Sequence, residues 1–172
     1  MIVCDVRTCV GCRMCEVACS SFHSNAVSPA LARIRVAKLE ETGIDLAVAC
    51  VGCLEKPCLE CPTGALTAGD RGQIVLDAGL CGGCRVCVDA CPIGAVGFYD
   101  GLPLFCDLCG GTPACVPACP ARCLTESGPT EGPSLQAFLG TAGSPAEKRA
   151  AFALVRGEPV RAAWMSGKRV DS

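Results

Sequence analysis

Sixteen of the chain's eighteen cysteines stand in four tight groups, and this spacing constrains the fold more than any other feature. The first group is Cys9, Cys12, Cys15 and Cys19, spaced C-x2-C-x2-C-x3-C. The second is Cys50, Cys53, Cys58 and Cys61, spaced C-x2-C-x4-C-x2-C and followed by Pro62. The third is Cys81, Cys84, Cys87 and Cys91, with the spacing of the first and followed by Pro92. The fourth is Cys106, Cys109, Cys115 and Cys119, spaced C-x2-C-x5-C-x3-C and followed by Pro120. Only Cys4 and Cys123 stand outside.

Thiols this dense in 172 residues imply either a disulfide scaffold or a protein built around metal. The opening MIVCDVRTCVGC has no basic start followed by an apolar run. The expectation is therefore reduced thiols in the cytoplasm. No apolar run approaches the roughly 18 residues of a membrane span. No basic run or basic–aromatic stripe suits nucleic acid. Structural zinc uses C-x2-C pairs, but two pairs set about 12 or more residues apart, unlike these groups. Aromatic residues are only 4% of the chain, so its organic core is thin, and inorganic clusters would supply the missing interior.

A 4Fe–4S cube takes one thiolate per iron. In two-cluster ferredoxins the last cysteine of a C-x2-C-x2-C-x3-C-P run ligates the other cluster. Four runs predict four 4Fe–4S clusters in two exchanged pairs, with sixteen cysteines as iron ligands. Each loaded cube adds roughly two negative charges to the formal net charge of −2. No catalytic triad, phosphate loop or carboxylate pair is present, so the chain is expected to carry electrons rather than to catalyse.

The groups are also internal repeats. Cys61-Pro-Thr-Gly-Ala-Leu66 matches Cys91-Pro-Ile-Gly-Ala-Val96, and Cys119-Pro-Ala-Arg-Cys-Leu124 is a looser copy. Cys123 then falls where the others have Ala65 and Ala95, a small core position rather than a ligand. Cys4, in a predicted strand, reads as a small buried hydrophobe. His23, the single histidine, reads as a surface residue, with tuning of a cluster as the rival reading. Gly82, Gly83, Gly110 and Gly111 lie within the cysteine loops, where a bare backbone offers N–H groups to sulfur.

Between the groups, residues 2–6, 34–39, 46–49 and 73–77 read as short strands, with 40–43 as a turn. The x3 step between the last two cysteines is one helical turn, stopped by the proline after Cys91. Residues 127–133 read as a linker. Ser144-Pro-Ala-Glu147 is a capping box opening a helix to about Arg156, closed by Gly157. Ala151, Leu154 and Val155 would form its apolar stripe.

The four runs resemble the four-cluster ferredoxin-like subunits of oxidoreductases. Residues 9–36, with PALARIRV at 29–36, and Cys106-Asp-Leu-Cys-Gly-Gly111 are most similar to the small polyferredoxin subunit of tungsten-containing aldehyde oxidoreductases. The resemblance covers residues 1–125. It implies an α+β fold of two nested bacterial-ferredoxin-like units of short strands, single-turn helices and cluster loops, plus a C-terminal helical tail. Residues 1–49 and 100–125 would make the outer unit and 50–99 the inner one. Beyond the resemblance, the capped helix and apolar residues of 126–172 predict a linker and helical tail that either folds back onto the ferredoxin body as core or serves as a partner-docking arm.

The resemblance also implies the ligand sets. One cluster takes Cys9, Cys12, Cys15 and Cys119, and a second Cys106, Cys109, Cys115 and Cys19. A third takes Cys50, Cys53, Cys58 and Cys91, and a fourth Cys81, Cys84, Cys87 and Cys61. Two departures stand out: Cys58 and Cys61 are two residues apart where the family has three, and Ser20 rather than proline follows Cys19. The implied role is a non-catalytic relay in anaerobic metabolism, linking a tungsten or molybdenum pterin oxidoreductase to a ferredoxin or flavin subunit. The alternatives are a free polyferredoxin, or a relay subunit of a carbon monoxide dehydrogenase, hydrogenase or molybdopterin reductase.

Overall fold

Loops that must curl around metal leave little chain for regular structure, and the strands are accordingly short. The structure, a computed structural model, describes residues 1–127 and 132–167. The linker expected over 127–133 falls mostly on residues outside that set. The described residues form a small α+β fold of eight strands and three α-helices. The strands are β1 (Ile2–Cys4), β2 (Ile34–Leu39), β3 (Ile44–Ala49), β4 (Leu66–Ala68), β5 (Ile74–Leu76), β6 (Gly97–Tyr99), β7 (Leu102–Leu104) and β8 (Leu124–Glu126). The helices are α1 (Met14–Ser24), α2 (Val86–Ala90) and α3 (Pro145–Met165).

The strands pair as four two-stranded antiparallel sheets. Three are hairpins: β2–β3, β4–β5 and β6–β7. The fourth joins the two ends of the cysteine-bearing chain, β1 to β8, with Cys4 opposite Leu124. A two-stranded ribbon is marginal by itself, so each depends on what it packs against. Ile34, Ile44, Val48, Val88, Ile93 and Leu108 are its largest fully buried apolar side chains, set among buried cysteines.

The helices show what decides element length. Proline after Cys91 ends α2 within five residues. Ser20 replaces that proline in the first run, and α1 continues for eleven residues, ending at the left-handed cap Asn25. The single turn expected there is thus three. Ser20 is fully buried and works on both sides: its hydroxyl donates to the Val17 carbonyl at 3.2 Å and accepts the Ser28 N–H at 3.2 Å.

The capping box at Ser144 and Glu147 forms as expected, but α3 does not stop at Gly157. It runs through Gly157 and Pro159 to Met165, although Pro159 has no N–H for the Val155 carbonyl. Its buried residues are Lys148, Ala153, Gly157 and Val160, while Leu154 and Val155 face solvent. The expected stripe is therefore misplaced. Close approach to β2 and β3 demands small side chains, and a Cβ on Gly157 would sit 2.6 Å from Ile44 Cγ2. Gly157 is a contact point rather than a terminator. The Arg149 guanidinium donates to the Gly94 carbonyl at 2.7 Å, and Lys148 donates to the Asp89 carbonyl, fastening the start of α3 beside the third cysteine run.

Helix propensity alone favours Gly157→Ala by about 1 kcal/mol. The overlap with buried Ile44 costs about 1–3 kcal/mol. Gly157→Ala is therefore expected to lower the melting temperature of the anaerobically purified protein, and Ile44→Ala to cost less in the Gly157→Ala background than in the unaltered chain. A melting temperature raised by Gly157→Ala would show that α3 does not rest on β3.

Candidate metal centres

The four loops share one backbone device. The residue before the second cysteine of every run is left-handed: Gly11 (φ 62°), Gly52 (φ 56°), Gly83 (φ 66°) and Leu108 (φ 58°). In the first and third runs the arginine after that cysteine is left-handed as well, Arg13 (φ 62°) and Arg85 (φ 67°). Left-handed residues turn successive N–H groups to one side and make a concave nest for anionic ligands. Glycine takes this shape at no steric cost, whereas Leu108 and the arginines adopt it under strain. The glycines were readable in the sequence; the arginines and Leu108 carry no such signal.

The structure brings the sequence-predicted cysteines together across runs. Cys61 lines one cleft with Cys81, Cys84 and Cys87. Cys91 lines a second with Cys50, Cys53 and Cys58, walled by Ile93, Phe105 and Leu135. Cys19 meets the fourth run: burial, then the Cys106, Cys19 and Cys109 thiolates, push Cys115 up to about 12. In the first run, burial, then Glu16, then Cys9 and Cys12, push Cys15 up to about 12. Cys119 approaches this run through Cys123, whose sulfur lies 3.4 Å from its own.

The four cysteine groups adjoin one another. Cys87, in α2, and Cys91, its C-cap, lie one turn apart and line the first two clefts. The pKa of Cys50 is pushed to about 12 by burial, and both Cys91 and Cys106 add to it, so the second cleft adjoins the fourth run. Cys115 in turn feels Cys15. Cys84 and Cys12 are exposed. Backbone N–H groups point at the sulfurs, Ala95 to Cys91 and Arg33 to Cys19, each at 3.2 Å. Such bonds stabilise thiolate and tune a cluster's potential.

Charged neighbours separate the places at the first and fourth runs. His23 is not a surface residue: its Nε2 lies 3.7 Å from Cys109 Sγ and 3.4 Å from Asp107 Oδ1. Both neighbours are acceptors once Cys109 is a thiolate, so Nε2 carries the proton. Burial and the Arg33 guanidinium lower the His23 pKa, against Asp107, which leaves the ring neutral at pH 7. Beside Cys15, by contrast, sits buried Glu16. Its Oε1 accepts the Val36 N–H at 2.7 Å, while Oε2 has no hydrogen-bond partner among the described residues.

Residues 74–96 match a 4Fe–4S binding domain, a segment that holds Cys81, Cys84, Cys87 and Cys91. The chain is similar to the polyferredoxin-like subunit of an aliphatic sulfonate oxidoreductase from Pyrococcus furiosus. The identity is 43% over 86 residues, 49% of each chain. It is 42% identical to the putative electron transport protein YsaA of Escherichia coli over 103 residues, 55% of this chain and 64% of that one. Formate hydrogenlyase subunit 2 of Escherichia coli is 36% identical over 104 residues, 60% of this chain and 50% of that one. The chain thus spans about half to two-thirds of the length of these relatives. Residues 74–96 thus carry a 4Fe–4S binding segment, and the relatives matched by the longer stretch are named as electron-transport proteins or oxidoreductase subunits. No helix among the described residues is long and apolar enough to cross a membrane.

A donor to sulfur raises a cluster's potential by stabilising the reduced, more negative state. His23→Ala is expected to lower the midpoint potential of one cluster only, with iron content unchanged, in an electron paramagnetic resonance redox titration. If every potential stays where it was, His23 does not donate to a cluster sulfur.

Proposed function

We propose that the chain is an electron-relay subunit carrying four 4Fe–4S clusters in a row, one at each cysteine group. The observation that supports this reading is the meeting of the last cysteine of the first three runs with another run. Cys91 lies with Cys50, Cys53 and Cys58, and Cys61 with Cys81, Cys84 and Cys87. Cys19 lies with Cys106, Cys109 and Cys115. Cys119 belongs with Cys9, Cys12 and Cys15 by the same exchange. Runs one and four, tied by the β1–β8 pairing, then form an outer ferredoxin-like unit around an inner one made by runs two and three. The clefts fit the cubes in donor chemistry: four thiols each, apolar walls and N–H groups aimed at sulfur.

Bound cubes would supply one-electron chemistry; the chain's residues hold the thiolates, exclude water and set the potentials. The exposed ends at Cys84 and Cys12 are the ports, and the two interior positions shorten each transfer. The partner we favour is a tungsten or molybdenum pterin oxidoreductase of the aldehyde type, with a ferredoxin or flavin subunit as acceptor. Similarity to the polyferredoxin-like subunit of a sulfonate oxidoreductase supports a partner of the oxidoreductase class. Similarity to formate hydrogenlyase subunit 2 favours a second reading, a relay in a hydrogen-evolving complex. The outer face of α3, with exposed Leu154, Val155, Trp164 and Met165, is the surface we assign to the catalytic partner, since aromatic and methionine side chains anchor interfaces. The large protein that co-purifies with the chain distinguishes the two readings.

Anaerobically prepared protein is expected to hold about sixteen irons, four per cube. Ligand exchange is tested by additivity. Cys53→Ala with Cys91→Ala should cost no more iron than Cys53→Ala alone, because both changes strike one cluster. Cys84→Ala with Cys91→Ala should cost about twice as much, about eight irons at most. Iron near eight in the unaltered chain, or the opposite pattern of additivity, would sink the proposal.

A further inference from the structure

The most closely gathered sulfurs in the described chain include two that the cluster assignment leaves unused. Cys4 Sγ is 3.8 Å from Cys123 Sγ, and Cys123 Sγ is 3.4 Å from Cys119 Sγ. The sulfurs of Cys4, Cys9 and Cys123 all lie within 4.8 Å of one another. No other three cysteines among the described residues are so close. The arrangement is held from two sides. Cys4 ends β1, opposite Leu124 of β8, and the Asp5 N–H donates to the Cys123 carbonyl at 2.8 Å.

Spacing discriminates between the metals such a group can hold. A single tetrahedral ion with metal–sulfur bonds of about 2.3 Å sets its sulfurs about 3.8 Å apart. A cube places one thiolate on each of four irons and spreads them over a larger body. The Cys4–Cys123 separation fits the single ion. Packing alone does not require a thiol at Cys123, because alanine fills that position in the sibling repeats. Ala65 and Ala95 there are as buried as Cys123, at 1%, 3% and 5% exposure.

We propose that Cys4, Cys9 and Cys123, with Cys119 (outside the close group of three but 3.4 Å from Cys123) drawn in as the fourth ligand, form a four-thiolate site for one soft divalent cation, zinc or ferrous iron, held when the cube of the first run is absent. The proposal rests on the ligand assignment above, since Cys9 and Cys119 are shared and the two occupants exclude each other. Each thiol releases its proton to solvent as the ion binds, and no electron moves. All four positions are protein sulfurs, so the site is closed in the manner of structural zinc, with no position for substrate. It would staple β1 to β8 and hold Cys9 and Cys119 together in the unloaded chain.

The test uses the full-length chain, freed of iron, given one equivalent of zinc and then iron and sulfide. The unaltered chain is expected to keep the zinc and finish about four irons short of about sixteen. Cys4→Ala/Cys123→Ala should take up all of its iron and retain no zinc. Cobalt in place of zinc should give the visible absorption of a tetrahedral thiolate complex in the unaltered chain only. Cys123→Ala alone serves as the milder variant and should likewise lose the cobalt signal. Equal zinc retention and equal iron loss in the unaltered and altered chains would overturn the proposal. A double variant short of iron with no zinc added would instead show that Cys4 or Cys123 ligates a cube, and the cluster assignment would fail with it.

Discussion

Four thiolates must reach the corners of a body too large for one short loop to enclose. Three cysteines in a left-handed loop reach three corners, and the helical turn that leaves the third carries the next cysteine away. A fourth thiolate must then come from a different part of the chain. This requirement explains why β1 pairs with β8 rather than with a sequence neighbour, and why a chain of such short strands holds together. Each sheet would be marginal alone. Under the proposed exchange they would be tied to one another through cysteines that lie in one run and serve another.

The same requirement sets the local backbone. N–H groups can point at sulfur only if the loop curls tightly, so left-handed residues recur before the second cysteine of each run. Where proline follows the last cysteine the helix stops, as at Pro92, and where Ser20 stands in its place α1 runs on. The longer helix carries His23 to Cys109, and its first turn holds Glu16 beside Cys15. One substitution in the repeat thus gives two adjacent sites different electrostatics, although both are lined by cysteine alone.

Much of this was legible in the residues. The cysteine spacing, the proline stops, the β2–β3 hairpin over residues 34–49 and the capping box at Ser144 all follow from local chemistry that a sequence displays. Three features were not legible, and each depends on a contact distant in the chain. Gly157 has the look of a helix terminator, yet it is there because Ile44 lies against it. Leu154 and Val155 have helical spacing, but the sheet accepts only the face with Ala153 and Gly157. His23 is a lone histidine until Asp107 and Cys109, some 80 positions later, come to meet it. Periodicity records which residues share a face, but not which face finds a partner.

The β1–β8 pairing also orders events in time. Ile2 faces Glu126, so β1 has no partner until more than a hundred further residues have followed it from the ribosome. The hairpins between them can close as they emerge, because their strands are neighbours. Under the proposed ligand exchange, the cysteines of the first run would therefore be the last of the four groups to have their site closed. Until then they remain open to whatever metal reaches them.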